Sequence, residues 1–496
     1  MPTYGELVAF GGPTLAIWML QPILSLIDSS FVGISGGGSI NTVSQLAAIG
    51  PGIAWIDSTT YLMNFVGIAT TNLYATALSE KSPAAARTTL SHAIVISAYF
   101  GVLLFVAQFA LAPVVIRQLC GAAVDSVPYG VVYSRVRSIA SLVALPTIVV
   151  QAAMLTRRDS ITPFVAVIYG GLANILGDIW LVTVLKKGLL GAAIATTFSQ
   201  FVTLYYLVHR SVRSMHQEAK AMVKYWPPRR SGVYAQRGLL ARLGVEVPRW
   251  RDMRAFLAFC GPLFFIMCFK AFLWSFTTYA AGSAGASTLA AHQITINLFL
   301  CFVIFGDVFS QIAQTYVPTF YNYNLAAAPG NGAVYSLLQR VVRVCASMGV
   351  LNAALSLLAM SHGRLLLTRD ASVLAGLQQA APFLALSVLP HSCMALCEGT
   401  LLATRDQKFH SLTYLLSGAL FLLGMSAVRN GAMGLRVCVE RTTLIQLYSI
   451  MHLTLIDLWI SRRCGWAWLY SSGYACWLSV GALFILSGAE DKIVPL

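Results

Sequence analysis

The sequence predicts an all-α polytopic membrane protein with twelve transmembrane helices. They form two six-helix lobes related by a pseudo-two-fold axis along the membrane normal. Three observations support this prediction. The composition is apolar, the apolar residues fall into long continuous segments, and short motifs of the first half return in the second half in the same order.

The composition excludes an ordinary soluble protein. Of the 496 residues, 57% are hydrophobic and only 10% are charged, whereas a soluble domain carries about 25% charged residues. An integral, multi-pass membrane protein is therefore expected. The formal net charge is +15, and the excess lies mainly in the loops between apolar segments. This placement is typical of membrane topology and argues against binding to nucleic acid.

Twelve apolar segments each contain the roughly 20 residues that a helix needs to cross a hydrocarbon core of about 30 Å. The segments are continuously apolar rather than alternating, which favours helices over membrane strands. They are residues 7–33, 46–78, 90–113, 130–155, 161–184, 189–209, 254–280, 287–318, 333–360, 372–403, 410–429 and 432–460.

The distribution of lysine and arginine predicts the orientation. The loops after even-numbered segments, with the long central loop and the start of the tail, hold 21 of these residues, and the loops after odd-numbered segments hold six. The positive-inside rule then places the even loops and the N-terminus in the cytosol or its organellar equivalent.

An internal duplication relates the two halves. "AFGGP" at 9–13 returns as "AFCGP" at 258–262, and "LTRRD" at 155–159 returns as "LATRD" at 402–406. Duplicated membrane units are typical of secondary transporters, whose substrate lies between two moving halves. The predicted parts are an N-terminal lobe, a basic cytosolic linker, a C-terminal lobe and a tail, at residues 1–209, 210–252, 253–460 and 461–496. The tail contains a further apolar run at 464–486, for which a thirteenth span and an interfacial helix both remain open.

Seven motifs, in order along the chain, resemble those of the multidrug and toxic compound extrusion (MATE) family, and the set is similar to the plant plastid-envelope (DETOXIFICATION-type) branch. They are "LIDSSFVG" at 26–33, "LAAIGPG" at 46–52, "NILGD" at 174–178, "GLLGAAIATTFSQ" at 188–200, "LAAHQ" at 289–293, "SQIAQTYVP" at 310–318 and "EGTLLATRDQKF" at 398–409. The resemblance implies an antiporter that exports organic solutes in exchange for H⁺ or Na⁺. The last segment departs from the family pattern because it carries Arg436, Glu440 and Arg441.

The first lobe contains acids at membrane depth. A carboxylate in a membrane helix costs roughly 2.5 to 3.5 kcal/mol on insertion scales, so Asp28 within the first segment requires an explanation. Counting residues from the outer ends of their segments places Asp28, Asp178 and the pair Thr196 and Thr197 at one level. Asn174 lies four residues before Asp178 and therefore shares its helix face.

Two acids, an amide and a hydroxyl at one level could coordinate Na⁺ or share a proton. The resemblance places the first-lobe cation site on these residue types. The predicted coupling residues are Asp28, Asn174, Asp178, Thr196 and Thr197, with Asp28 and Asp178 as candidate Na⁺ ligands and no cofactor besides the coupling ion. The alternative is that Asn174 and Asp178 only bond neighbouring helices.

The second lobe carries the opposite charge at the related position. The repeat offset of 249 pairs Gln21 with Lys270 and Asp28 with Thr277. A lysine in mid-membrane could recognise an anionic solute, pair with an internal acid or handle protons. The candidate substrate-binding residues are Gln21, Lys270, Asp307, His391 and Glu398.

Other functions fit less well. "GISGG" at 33–37 satisfies the G-x-S-x-G pattern without the strand and helix that a nucleophile elbow requires, so no enzyme is predicted. A lipid-linked saccharide flippase of the same superfamily is the main alternative, although such proteins usually use several basic residues. Asp57 has no partner that the sequence identifies.

The expected partners are a small organic solute and the lipid bilayer, and the protein is expected to be a monomer. A plastid envelope, a plasma membrane and a vacuolar-type membrane all remain open as its location.

Overall fold

The computed structural model describes residues 2–35, 40–79, 83–120, 124–225, 248–282, 286–321, 332–362 and 371–429. Within these ranges the chain is helical apart from short turns, and they contain no strand. The all-α prediction is confirmed. A helix satisfies its backbone hydrogen bonds internally, which is what a segment in hydrocarbon requires.

The described residues of the first half of the chain form eight α-helices and two short helices of other types. The α-helices are α1 (Tyr4–Ser35), α2 (Ile40–Leu62), α3 (Phe65–Ser79), α4 (Pro83–Cys120), α5 (Val127–Ser138), α6 (Ser141–Thr156), α7 (Ile161–Asp178) and α8 (Gly188–Tyr225). A 3₁₀ turn at Val124–Ser126 precedes α5, and a π-helix at Ile179–Val184 follows α7 directly.

The second half contains five described α-helices. They are α9 (Trp250–Gly282), α10 (Ala286–Phe320), α11 (Gly332–Ser361), α12 (Ala371–Ala403) and α13 (Gln407–Arg429).

The first eleven predicted segments coincide with these helices. The second segment is divided between α2 and α3, and the fourth between α5 and α6, which bend by 46° at their junction. Among the described helices, seven are long and apolar enough to cross a membrane, and the bent pair α5–α6 makes an eighth. The predicted segment at 432–460, with Arg436, Glu440 and Arg441, and the tail run at 464–486 lie outside the described residues.

The chain forms two compact units, Val8–Ala271 and Met1–Leu7 with Phe272–Leu496. In the first unit, α7 packs along α8, and α2 packs against α4 and α5. A buried apolar cluster in this unit includes Ala48, Val182 and Leu189. In the second unit, α10 and α11 both pack on α12, around a core that includes Met360, Leu377 and Leu384.

One repeated motif folds in the same way in both halves. Arg158 in "LTRRD" and Arg405 in "LATRD" adopt left-handed backbone conformations, with φ of 64° and 63°. The following residues, Asp159 and Asp406, each donate a backbone N–H to the carbonyl five positions earlier, at 3.0 Å in both cases. The duplicated sequence therefore produces a duplicated turn between consecutive helices.

Candidate functional site

A buried polar pair lies on one face of α7. Asn174 is 1% exposed and Asp178 is 0% exposed, and their spacing of four residues stacks them on the same side of the helix. The side-chain amide nitrogen of Asn174 donates to the hydroxyl of Thr196 on α8 at 3.4 Å. The structure thus brings together three of the residues that the sequence selected for the cation site.

The close approach of α7 and α8 makes this contact possible. A Cβ atom on Gly177 would lie 2.8 Å from the Cβ of Ala195, closer than side-chain carbons approach one another. Only a glycine at position 177 permits this helix separation. The polar pair of α7 is therefore held against the face of α8 that carries Thr196.

The helix changes type at the last residue of the pair. The α-helical pattern of α7 ends at Asp178, and the next six residues, Ile179–Val184, form a π-helix. Single π-turns within helices occur often at functional sites, because the wider turn removes one regular backbone hydrogen bond and redirects side chains. The π-helix is therefore a second indication, independent of the charge of Asp178, that this part of the chain has a functional role.

Helix α1 approaches α7 at Gly171. A Cβ on Gly171 would contact Leu24 at 3.5 Å and Leu20 at 3.6 Å. The backbone of Asp28 lies four residues beyond Leu24, which is about 6 Å further along the helix axis. The side chains of Asp28 and Gln21 lie outside the described side chains.

The two predicted threonines face different helices. Thr196 meets Asn174 of α7, whereas the hydroxyl of Thr197 donates to the backbone carbonyl of Val136 at the end of α5, at 3.3 Å. Consecutive helical residues point about 100° apart, so the two hydroxyls cannot share one site. The geometry joins Thr196 to the polar pair and Thr197 to α5.

The candidate cation site contains buried oxygen atoms. The carboxylate oxygens of Asp178 and the amide oxygen of Asn174 are buried, and among the described residues no donor bonds the Asn174 oxygen. Buried amide and carboxylate oxygens suit a proton or a hard cation such as Na⁺. Among the described residues there is no group of three or more His, Cys, Asp or Glu side chains that could hold a metal ion.

The predicted substrate-binding residues occupy both units. Lys270 is partly buried on α9, in the unit Val8–Ala271. Asp307 is exposed on α10, beside Gly306. A Cβ on Gly306 would lie 2.6 Å from a ring carbon of His391, so this α12 residue packs directly on α10 next to Asp307. The His391 ring also meets the edge of Phe299, with centroids 6.0 Å apart.

Glu398 belongs to a buried polar cluster that the sequence did not identify. The hydroxyl of Tyr414 donates to its carboxylate, and Nε2 of His410 lies 3.9 Å from the same carboxylate oxygen. All three side chains are buried. Both partners come from α13, 12 and 16 residues after Glu398 in the sequence. The signal that could have found them is the polar His and Tyr within an otherwise apolar segment.

A second unpredicted feature is an ion pair between Asp57 of α2 and Arg137 of α5. Nη2 of Arg137 lies 3.3 Å from Oδ1 of Asp57. The sequence signal was the presence of Arg135 and Arg137 within the predicted segment 130–155, where a charge requires a partner.

Comparisons with known proteins support the transporter fold. A model of the MatE family matches residues 13–180. The chain is 28% identical over 439 residues to the chloroplastic protein DETOXIFICATION 47 of Arabidopsis thaliana, covering 87% of this chain and 74% of that protein. It is 22% identical over 333 residues to the chloroplastic DETOXIFICATION 44 of the same plant, covering 64% and 57%.

A solved structure shares the fold over nearly the whole chain. The crystal structure of MATE in the bent conformation superposes with a TM-score of 0.71 at 16% identity, covering 92% of this chain and 95% of that chain. MATE proteins are transporters rather than enzymes. The chain is therefore an integral, multi-pass membrane protein that has the fold of multidrug and toxic compound extrusion transporters and is similar to them in sequence.

Proposed function

We propose that this transporter is a secondary active antiporter that exports a small organic solute in exchange for H⁺ or Na⁺. The coupling cation binds at Asp28, Asn174, Asp178 and Thr196. The observation that supports this assignment best is the burial of Asp178 with Asn174 against Thr196, at the start of a π-helix. A buried acid in a membrane helix is costly, and reversible neutralisation by a cation offsets that cost.

In this proposal, the side chain of Lys270 selects the solute by its charge. Its ammonium group repels cationic solutes and attracts anionic ones, which gives the transporter a preference for organic anions. Asp307, His391 and Glu398 supply further polar groups to the transport path. The chloroplastic relatives support a plastid envelope as the membrane in which the protein works.

The direct test is transport by the full chain in liposomes under an imposed pH or Na⁺ gradient. Two bicyclic aromatic probes with permanent charges, naphthalene-1-sulfonate and N-methylquinolinium, measure uptake without passive leak. We expect gradient-driven uptake that Asp178→Asn abolishes, while Asp125→Asn, at an exposed acid before α5, leaves it unchanged. Comparing the two gradients identifies the coupling ion. Equal gradient-driven uptake by wild-type protein and Asp178→Asn would remove this site from the mechanism.

A lipid-scrambling measurement on the same liposomes separates the antiporter from a lipid-linked saccharide flippase. Accelerated movement of a labelled lipid-linked saccharide, with no gradient-driven uptake of either probe, would favour the flippase.

A further inference from the structure

The Asp57–Arg137 pair is unequally exposed. The Arg137 side chain is 8% exposed, whereas the Asp57 side chain is 48% exposed. The positive partner is therefore more deeply enclosed by protein than the negative partner. A buried arginine needs a counter-ion, and Asp57 is an acidic partner of Arg137 that is more exposed than the arginine itself.

Arg137 is held in place by backbone packing rather than by Asp57 alone. Helices α2 and α5 run side by side, with Gly130 near Ala48 and Tyr133 against Gly52. A Cβ on Gly52 would lie 2.5 Å from the Tyr133 ring, so the two helices are in close contact one turn before the ion pair. The guanidinium is preorganised by this contact.

Gln108 of α4 fixes the surroundings of the pair. Its amide nitrogen donates to the Thr59 hydroxyl at 2.8 Å, and its amide oxygen accepts from the Ser141 hydroxyl at 2.5 Å. The indole N–H of Trp55 donates to the Gln108 backbone carbonyl at 3.2 Å. Gln108 thereby joins α2, which carries Asp57, to the start of α6, which follows α5.

The exposed face of α2 around Asp57 differs from a lipid-facing surface. Besides Asp57, its exposed residues are three small ones, Gly50, Ala54 and Ser58, and one large aromatic residue, Tyr61. On α4, by contrast, the exposed face is apolar and includes Val102, Leu103, Val106 and Phe109. A carboxylate on a small, polar helix face is typical of a surface that meets water or solute rather than acyl chains.

The ion pair itself is loose. Charge-assisted contacts between a guanidinium and a carboxylate are usually about 2.7 to 2.9 Å long and often bidentate, whereas the contact between Nη2 of Arg137 and Oδ1 of Asp57 is 3.3 Å long. The planar fork of an arginine can bind a carboxylate, sulfonate or phosphate group through two bonds. An incoming anion can therefore pair with Arg137 better than Asp57 does.

We propose that Arg137 binds the anionic group of the transported solute and that Asp57 is its displaceable counter-ion. Without solute, Asp57 neutralises the arginine; an organic anion takes its place, and Asp57 turns into water. The inference rests on the proposed solute export and assigns it a recognition residue in the unit Val8–Ala271.

The arrangement also connects the anion site to the cation site. Thr197 bonds the backbone carbonyl of Val136, the residue before Arg137, while the adjacent Thr196 bonds Asn174. Two consecutive residues of α8 thus contact both sites. A shift of α8 that accompanies cation binding moves the end of α5, and linkage requires that the solute affect cation affinity equally.

Equilibrium binding to the purified full chain, without any ion gradient, tests the site. Labelled naphthalene-1-sulfonate is the anionic probe and N-methylquinolinium the cationic one. Arg137→Gln should raise the Kd for the sulfonate at least about tenfold and change that for the quinolinium by less than about twofold. Asp57→Asn removes the competing carboxylate and should lower the sulfonate Kd by about three- to tenfold.

Two further variants separate recognition from a structural role. Arg135→Gln removes the same charge two residues away, where the guanidinium lies over the Phe109 ring at 5.0 Å, and it should leave sulfonate binding unchanged. The double variant Asp57→Asn/Arg137→Gln leaves no unpaired charge, so a merely structural pair predicts recovery of sulfonate binding. We expect the double variant to regain thermal stability but not sulfonate binding.

Three results would overturn the proposal: a wild-type protein that does not bind the sulfonate, an Arg137→Gln variant that binds it as tightly as wild type, or recovery of binding in the double variant. A failure of the antiport proposal gives a different result: gradient-driven uptake is absent, even where the protein still binds the sulfonate through Arg137.

Discussion

The side-chain amide of Asn174 donates to the hydroxyl of Thr196 at 3.4 Å and ties α7 to α8 one helical turn before the buried Asp178. The bond lies near one close approach of the two helices, at Gly177 and Ala195. The candidate cation site is therefore part of a tight helix–helix contact. Substitutions there can be designed to separate ion binding from packing.

The neighbouring threonines give a matched comparison. Thr196→Val keeps the shape of the side chain and removes the hydroxyl beside Asn174, so we expect the half-saturating concentration of the coupling cation to rise about five- to tenfold. Thr197→Val removes a bond to the α5 backbone and should leave the cation dependence within about twofold. The measurement is solute uptake in liposomes as a function of pH and of Na⁺ concentration. Equal effects of the two substitutions would argue against a cation site at Thr196.

Gly177→Ala tests the helix contact. The added methyl group would meet the Ala195 side chain at 2.8 Å, and overpacking of this kind costs about 1 to 3 kcal/mol. We expect a lower thermal unfolding midpoint in detergent. Gly261→Ala is the control, because nothing lies within 4 Å of the added carbon and alanine favours a helix over glycine by about 0.5 to 1 kcal/mol. If both variants unfold at the wild-type temperature, the close approach of α7 and α8 is not required for stability.

Lys270→Gln tests the charge of the solute. Removing the ammonium should weaken uptake of naphthalene-1-sulfonate by about tenfold in KM and leave N-methylquinolinium unchanged or improved. Lys186→Gln, at an exposed lysine in the turn after the π-helix, is the control for a simple loss of charge. A larger loss for the cationic probe than for the anionic one would refute anion recognition by Lys270.

Tyr414→Phe tests the cluster around Glu398. The substitution removes the hydroxyl that donates to a buried carboxylate, and leaving such a group unsatisfied costs about 1 to 3 kcal/mol or more. We expect a lower unfolding midpoint, whereas Tyr99→Phe, at a tyrosine that is 58% exposed, should have no effect. An unchanged midpoint in Tyr414→Phe would show that the hydrogen bond contributes little to stability.

Local spacing accounts for the part of the candidate site that the sequence could place. Asn174 and Asp178 are four residues apart, and helix geometry alone places them on one face. The positions of the helices were also accessible, because long apolar runs can satisfy their backbone groups in lipid only as helices.

Partners that are distant in the chain were not accessible to sequence reasoning. Asp57 and Arg137 are 80 residues apart, and nothing in either segment specifies which faces of α2 and α5 meet. The sequence also could not indicate which of the two hydroxyls, that of Thr196 or that of Thr197, contacts Asn174. That contact depends on the rotation of α8 about its axis, which packing against two neighbours decides.

The breaks within the second and fourth spans show a similar limit. Both segments contain a proline, Pro51 or Pro146, yet their helices are interrupted at Met63–Asn64 and Ile139–Ala140. Near these breaks Gln108 bonds both Thr59 and Ser141. A side chain from a third helix thus bridges the two interrupted spans, and no pattern within either segment could indicate it.

The sequence by itself determined a helical membrane protein, the positions of its first eleven apolar segments, its repeated motifs and the residue types at the candidate cation site. These follow from composition, from helix periodicity and from the cost of exposing backbone groups or charges to hydrocarbon. Only the tertiary structure decided which polar side chains meet, because those contacts depend on how each helix is rotated and how closely it approaches its neighbours. Hydropathy indicates that a segment crosses the membrane, but it does not determine how the helix is rotated about its own axis.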